Sequence, residues 1–92
     1  MERPRTLLAI VRAADPAVRE RAVDRIKAGG KSWARLGDTA YAVQVRMDAA
    51  AFRDWLSKDF VYDSAAFAVF DVTEAAWATY AMPPAIPQWL RQ

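Results

Sequence analysis

The stretch Ile26-Lys27-Ala28-Gly29-Gly30-Lys31-Ser32-Trp33-Ala34-Arg35-Leu36-Gly37-Asp38-Thr39-Ala40-Tyr41-Ala42-Val43 admits two readings that lead to different folds. Taken as a phosphate loop, Gly30-Lys31-Ser32 would mark a nucleotide-binding site. Such a loop needs a glycine five residues before its second one, a strand in front and a helix behind, so that backbone N–H groups converge on phosphate. Arg25 stands in the glycine position, a helical pattern precedes and a strand pattern follows. All three requirements fail. The other reading, a helix stopped at Gly29 or Gly30 by a left-handed cap and followed by two paired strands, accounts for every residue.

Working outward, Ser32 to Leu36 reads as the second strand, Gly37-Asp38 as a tight turn and Thr39 to Arg46 as the third strand. In the third strand Tyr41, Val43 and Val45 alternate with Ala42, Gln44 and Arg46. The helix before the hairpin begins at Asp15-Pro16, an N-cap residue followed by proline at the first helical position. Val18, Ala22, Val23 and Ile26 form its apolar side, and Arg19, Glu20, Arg21, Asp24, Arg25 and Lys27 its wet side. Ahead of it, Thr6 to Ala13 is short and apolar enough for a strand buried on both faces. After the hairpin, Asp48 caps a second helix with Ala51, Phe52, Trp55 and Leu56 as its stripe, ending near Lys58. A last strand runs from Ala65 or Ala66 to Val72.

The order βαββαβ predicts an α+β, ferredoxin-like fold: a four-stranded antiparallel sheet with both helices on one face, set by right-handed crossovers. One domain spans residues 1–92, with a core over about 6–72 and a tail over 73–92. The tail holds Trp77, Tyr80, Met82-Pro83-Pro84, Ile86, Pro87, Trp89 and Leu90, and its three prolines forbid one regular element. A helical turn is expected from Glu74 to Tyr80, with the chain from Pro83 onward extended over an apolar surface.

Composition narrows the chemistry. Apolar residues make up 54% of a 92-residue chain that includes four tryptophans and four phenylalanines. A domain of this size hides only about 60–65% of its unfolded surface, so an apolar excess favours a homodimer. Cysteine and histidine are both absent, which removes disulfides, thiolate and imidazole catalysis and the common zinc sites. The run Leu7 to Val11 is too brief for a signal peptide, and nothing reaches a membrane-spanning length; a cytoplasmic protein without a membrane partner is expected. The net charge of +2, from 13 basic and 11 acidic residues, is compatible with nucleic acid without requiring it.

Among the carboxylates, Asp15 and Asp48 are accounted for as caps and Asp38 as a turn residue. Asp71 lies inside a strand and so needs a partner or an exposed edge; with Asp15 it is the alternative catalytic candidate. Arg12, Arg35 and Arg46 are the strand cations, and Trp33 and Trp77 offer stacking surfaces. These five are the candidate residues for a nucleic acid or protein partner, although salt bridging and packing are the commoner fates of such residues.

The pattern Ile26-Lys27-x-Gly29-x-x-x-Trp33-x-x-Leu36-x-x-Thr39-x-Tyr41-x-Val43, then Phe52-Arg53-Asp54-Trp55-Leu56, Phe67-Ala68-Val69 and Glu74-Ala75-Ala76-Trp77, resembles the small bacterial proteins of the SinR family. These are related to the CRISPR-associated Cas-two and VapD group. The resemblance covers Leu7 to about Trp77 and implies a ferredoxin-like fold and a homodimer. Nuclease members of that group carry an aspartate at the end of the first strand that binds a divalent metal; here Arg12 takes its place. A guanidinium there would repel Mg²⁺. The expectation is therefore a non-catalytic dimeric binding module without a cofactor, the alternative being an Mg²⁺-dependent endonuclease or endoribonuclease that uses Asp15 or Asp71.

Overall fold

A computed structural model describes residues 3–78, 80 and 82–91. The elements follow in the order β1 (Arg5–Ala13), α1 (Pro16–Gly29), β2 (Ser32–Arg35), β3 (Ala40–Val45), α2 (Ala49–Ser57), β4 (Ala65–Asp71) and α3 (Ala85–Leu90). A short 3-10 turn, Lys58–Phe60, joins α2 to the loop before β4. The four strands form one antiparallel sheet in the order β2-β3-β1-β4. This is the expected α+β, ferredoxin-like arrangement.

Both predicted caps form. The Asp15 carboxylate accepts the N–H of Ala17 at 2.9 Å, and Asp48 accepts that of Ala51 at 2.7 Å. Each satisfies a first-turn donor that no helical carbonyl can reach.

Period-2 geometry then sorts the strands into two faces. Leu7, Ala9, Val11 and Ala13 of β1 share the helix-covered face with Tyr41, Val43 and Val45 of β3 and with Phe67 and Val69 of β4. Ala22 and Ile26 of α1 and Phe52 and Leu56 of α2 close this core, all fully buried. Burying a side chain such as Phe52 or Leu56 contributes about 1.5–3 kcal/mol. On the other face Leu8 and Ile10 are only partly covered and Arg12 is exposed. Thus β1 is central in the sheet but fully buried on one side only.

The helix stops at Gly29 as expected, but not through a left-handed cap. No glycine has positive φ, and Gly30, just past α1, is extended at φ −111°, ψ 155°. What Gly29 supplies is space: a Cβ built there would lie 2.5 Å from Cζ3 of Trp55 and 2.8 Å from Cε1 of Phe52. The end of α1 is pressed onto α2, and only a residue without a side chain fits between them.

The tail also departs from expectation. No helix forms between Glu74 and Trp77; the chain turns instead, the N–H of Ala75 donating to the Val72 carbonyl at 2.9 Å with Glu74 at φ 63°. From Pro83 onward the chain is not extended as expected: Ala85–Leu90 form α3. Pro87 is compatible with it because a first-turn residue has no helical acceptor for its missing N–H. Between these points the described residues lack regular structure, and α3 lies against β2 with Ile86 buried. Ala34 and Ala42, on the sheet face away from α1 and α2, are buried as well.

Candidate functional site

The candidate carboxylates are far apart in the fold. Asp15 follows the C-terminal end of β1, whereas Asp71 pairs with Leu7 near that strand's start. Asp71 meets the partner requirement of a strand carboxylate locally. Arg5 Nη1 donates to its Oδ2 at 2.9 Å and the Thr73 N–H to its Oδ1 at 3.0 Å. Thr73 Oγ1 in turn accepts the N–H of Thr6 at 3.0 Å. The Thr73 hydroxyl and N–H, with Arg5 behind them, lower the Asp71 pKa from 3.8 to about 2 by stabilising the charged form. The site fastens the end of β4 to the start of β1. No group of three or more acidic side chains with metal-binding geometry occurs among the described residues.

The three strand arginines do not share a surface. Arg12 pairs with Ala66 and stands exposed on the face away from α1 and α2. Arg35 pairs with Tyr41, which puts it on the helix-covered face, where its guanidinium bonds Asp38. Arg46 follows β3 at the opposite end of the sheet from Arg12, since β3 runs antiparallel to β1. Trp33 is also on the helix side: its ring lies 6.1 Å from that of Tyr41 and 4.5 Å from Lys27 Nζ. Trp77, like Arg12, lies on the other face.

There the tail and sheet form a partly open cavity of about 530 Å³ lined by Leu8, Ala42, Gln44, Trp77, Met82 and Leu90, among others. Beyond the cavity the β1/β4 half of this face is open. Ala66 and Ala68 are exposed, Ile10 is partly exposed, and Phe70 retains 52% of its surface. Val61 and Tyr62, in the loop that enters β4, are exposed too. The sequence alone does not mark this apolar strip. The alternation Ala66-Ala68-Phe70 against Phe67-Val69 separates the two faces of β4, but it does not say which side the helices cover.

Arg25 is a second residue with an unforeseen role. Helical spacing puts it on the wet side of α1, yet it spans to α2: its guanidinium lies 3.9 Å over the Trp55 ring, and Nε and Nη2 donate to the Trp55 carbonyl at 3.0 and 2.7 Å.

No helix among the described residues is long and apolar enough to cross a membrane. Comparison of the chain with protein-family models, curated proteins and solved structures finds no match.

Proposed function

We propose that the chain is a non-catalytic binding module acting as a homodimer, with a protein partner favoured over nucleic acid. The observation that carries this reading is the open apolar half of the sheet, where Phe70, Ala66, Ala68 and Ile10 lie beside the Trp77-lined cavity. Contiguous exposed apolar surface of this kind is what protein contacts use. Nucleic acid is better matched by cations gathered on one surface, and Arg12, Arg35 and Arg46 are divided between faces and ends. The resemblance to the SinR family and the Cas-two and VapD group supports the homodimer and adds the nuclease as a competing reading. Against it, Asp15 is engaged as a cap and Asp71 in its bonds to Arg5 and Thr73.

The test is direct. Purified protein incubated with labelled single-stranded and duplex RNA and DNA, with Mg²⁺ or Mn²⁺, is expected to leave all four intact. Metal-dependent cleavage abolished by Asp15→Ala or Asp71→Asn would overturn the proposal. In a parallel binding titration, high-affinity, salt-sensitive binding that Arg12→Ala, Arg35→Ala and Arg46→Ala together remove would replace the protein partner with nucleic acid.

A further inference from the structure

The two edges of the sheet differ in a way that bears on assembly. On one side β2 has only four residues, ends in Arg35, follows Lys31 and has α3 against it. Shortness, cations and cover are how proteins keep an edge strand from pairing with another chain. On the other side β4 has seven residues, Ala65-Ala66-Phe67-Ala68-Val69-Phe70-Asp71, with no proline and no charge before its last position. It pairs only with β1, and its outer edge has no strand beside it among the described residues.

The direction of its free backbone groups follows from the register. The N–H of Val72 donates to the Thr6 carbonyl, so Phe70, Ala68 and Ala66, of the same parity, point their backbone groups toward β1. Ala65, Phe67, Val69 and Asp71 therefore point theirs outward, as alternation in an antiparallel ladder requires. We infer that this edge is taken by the β4 edge of a second copy, antiparallel and centred on Ala68, giving one continuous eight-stranded sheet. This deepens the homodimer reading above and rests on it.

The register is selected by the strand itself. With Ala68 opposite Ala68 of the second copy, Ala65 faces Asp71, Phe67 faces Val69 and Ala66 faces Phe70, so all seven residues are paired. The outward-pointing residues Ala65, Phe67, Val69 and Asp71 then meet one another, as ladder bonding demands. On the open face each Phe70 lies across from the small Ala66 of the other chain, so the two large rings do not meet head on. Shifting by one residue would set inward-pointing backbone groups opposite outward-pointing ones and lose the bonds. The contact is isologous: forming it uses both β4 edges and leaves only the protected β2 edges, so assembly stops at two copies.

The absence of cysteine makes a clean test. Ala68 would occupy a non-hydrogen-bonded antiparallel pair, where Cα atoms are roughly 4.5 Å apart, within disulfide reach. Ala68→Cys is therefore expected to cross-link most of the protein as a dimer under mild oxidation. Ala66→Cys, equally exposed but roughly 14 Å from its own copy in this register, is expected to cross-link at least tenfold less. Light scattering on the unmodified chain should give two copies. A dimer in which Ala68→Cys fails to link, or links no better than Ala66→Cys, overturns the β4 pairing while leaving a homodimer. A monomer at high concentration overturns both, and open-ended polymers overturn the closed two-copy contact.

Discussion

Gly29 and Trp55 occupy space that only one side chain can fill: the position a Cβ would take on Gly29 is 2.5 Å from Cζ3 of the Trp55 ring. Trp55 is itself held between the Phe52 ring, stacked at 5.7 Å, and the Arg25 guanidinium on α1. The indole therefore has little freedom to withdraw. Gly29→Ala is expected to destabilise the protein by about 1–3 kcal/mol through overpacking, even though alanine gains up to about 1 kcal/mol over glycine in a helix. Gly37→Ala is the control, because nothing lies within 4 Å of its Cβ position. Urea unfolding of the two variants checks this; equal midpoints would show that the α1–α2 contact yields easily.

That glycine also marks the boundary of what the sequence discloses. Helix, stop and hairpin are legible from Asp15-Pro16, the spacing of Val18, Ala22 and Ile26, and the alternation through Tyr41, Val43 and Val45, all of which act over a few residues. The reason for Gly29 lies on another helix, 26 residues away, and periodicity carries no information about it. The same holds for the tail: nothing local to Ala34 or Ala42 says that they will be covered. Asp71 shows the intermediate case. Its position in a strand predicts that it needs partners, but Arg5 becomes one only when β1 and β4 are brought into register.

Asp71 yields a pH prediction with a defined sign. Its carboxyl is lowered from 3.8 to about 2 in the folded chain, so the folded form is the weaker proton binder. The resulting stabilisation is fully present above the ordinary carboxylate pKa and is lost as pH falls from about 4 toward about 2. An NMR titration of the Asp71 carboxyl should show the depressed midpoint. Thr73→Val, which removes the hydroxyl but keeps the N–H, should return it part of the way toward 3.8. An unchanged midpoint in that variant would assign the shift to Arg5 and the backbone instead.

The two caps separate a structural from a chemical role for Asp15. If Asp15 does only what its bond to the Ala17 N–H implies, Asp15→Ala costs about 1 kcal/mol, as does Asp48→Ala on the second helix. Asp15→Asn or Asp15→Ser should restore most of that loss, because each retains an acceptor for the helix N-terminus. Calorimetric melting measures all four variants. Rescue by serine would be unexpected if a charged carboxylate were required, for instance to hold a divalent cation.

Glu74 stands at the third position of the turn closed by the Val72 carbonyl and the Ala75 N–H, with φ 63°. A positive φ there is the geometry of a type II turn, which favours glycine, and a residue with a Cβ is destabilised by roughly 1–2 kcal/mol. Glu74→Gly should therefore leave stability unchanged or raise it by up to about 1 kcal/mol despite the greater freedom it gives the unfolded chain. Glu74→Val should lower it, because branching at Cβ adds to the clash. Thermal melts of the pair decide the matter, and the opposite ranking would mean that the turn relaxes when its side chain is changed.

Arg25 couples the helices by chemistry that a lysine cannot reproduce. Trp55 lies in the last turn of α2, where carbonyls lack helical partners and carry the negative end of the helix dipole. Arg25 reaches across from α1 to supply two N–H donors to the Trp55 carbonyl while its plane stacks on the indole and Nη1 meets Asp59 Oδ2 at 2.9 Å. Its removal leaves both the carbonyl and the ring face without a partner. Arg25→Ala is expected to lose roughly 2 kcal/mol, the scale of a charge-assisted hydrogen bond with a cation–π contact. Arg25→Lys should recover less than half, because an ammonium lacks the planar fork needed to bond the carbonyl twice and stack at the same time. Urea midpoints of both variants test this, and a double-mutant cycle with Trp55→Leu isolates the stacking part. Equal stability of the lysine variant and the unmodified chain would mean that charge alone holds α1 to α2.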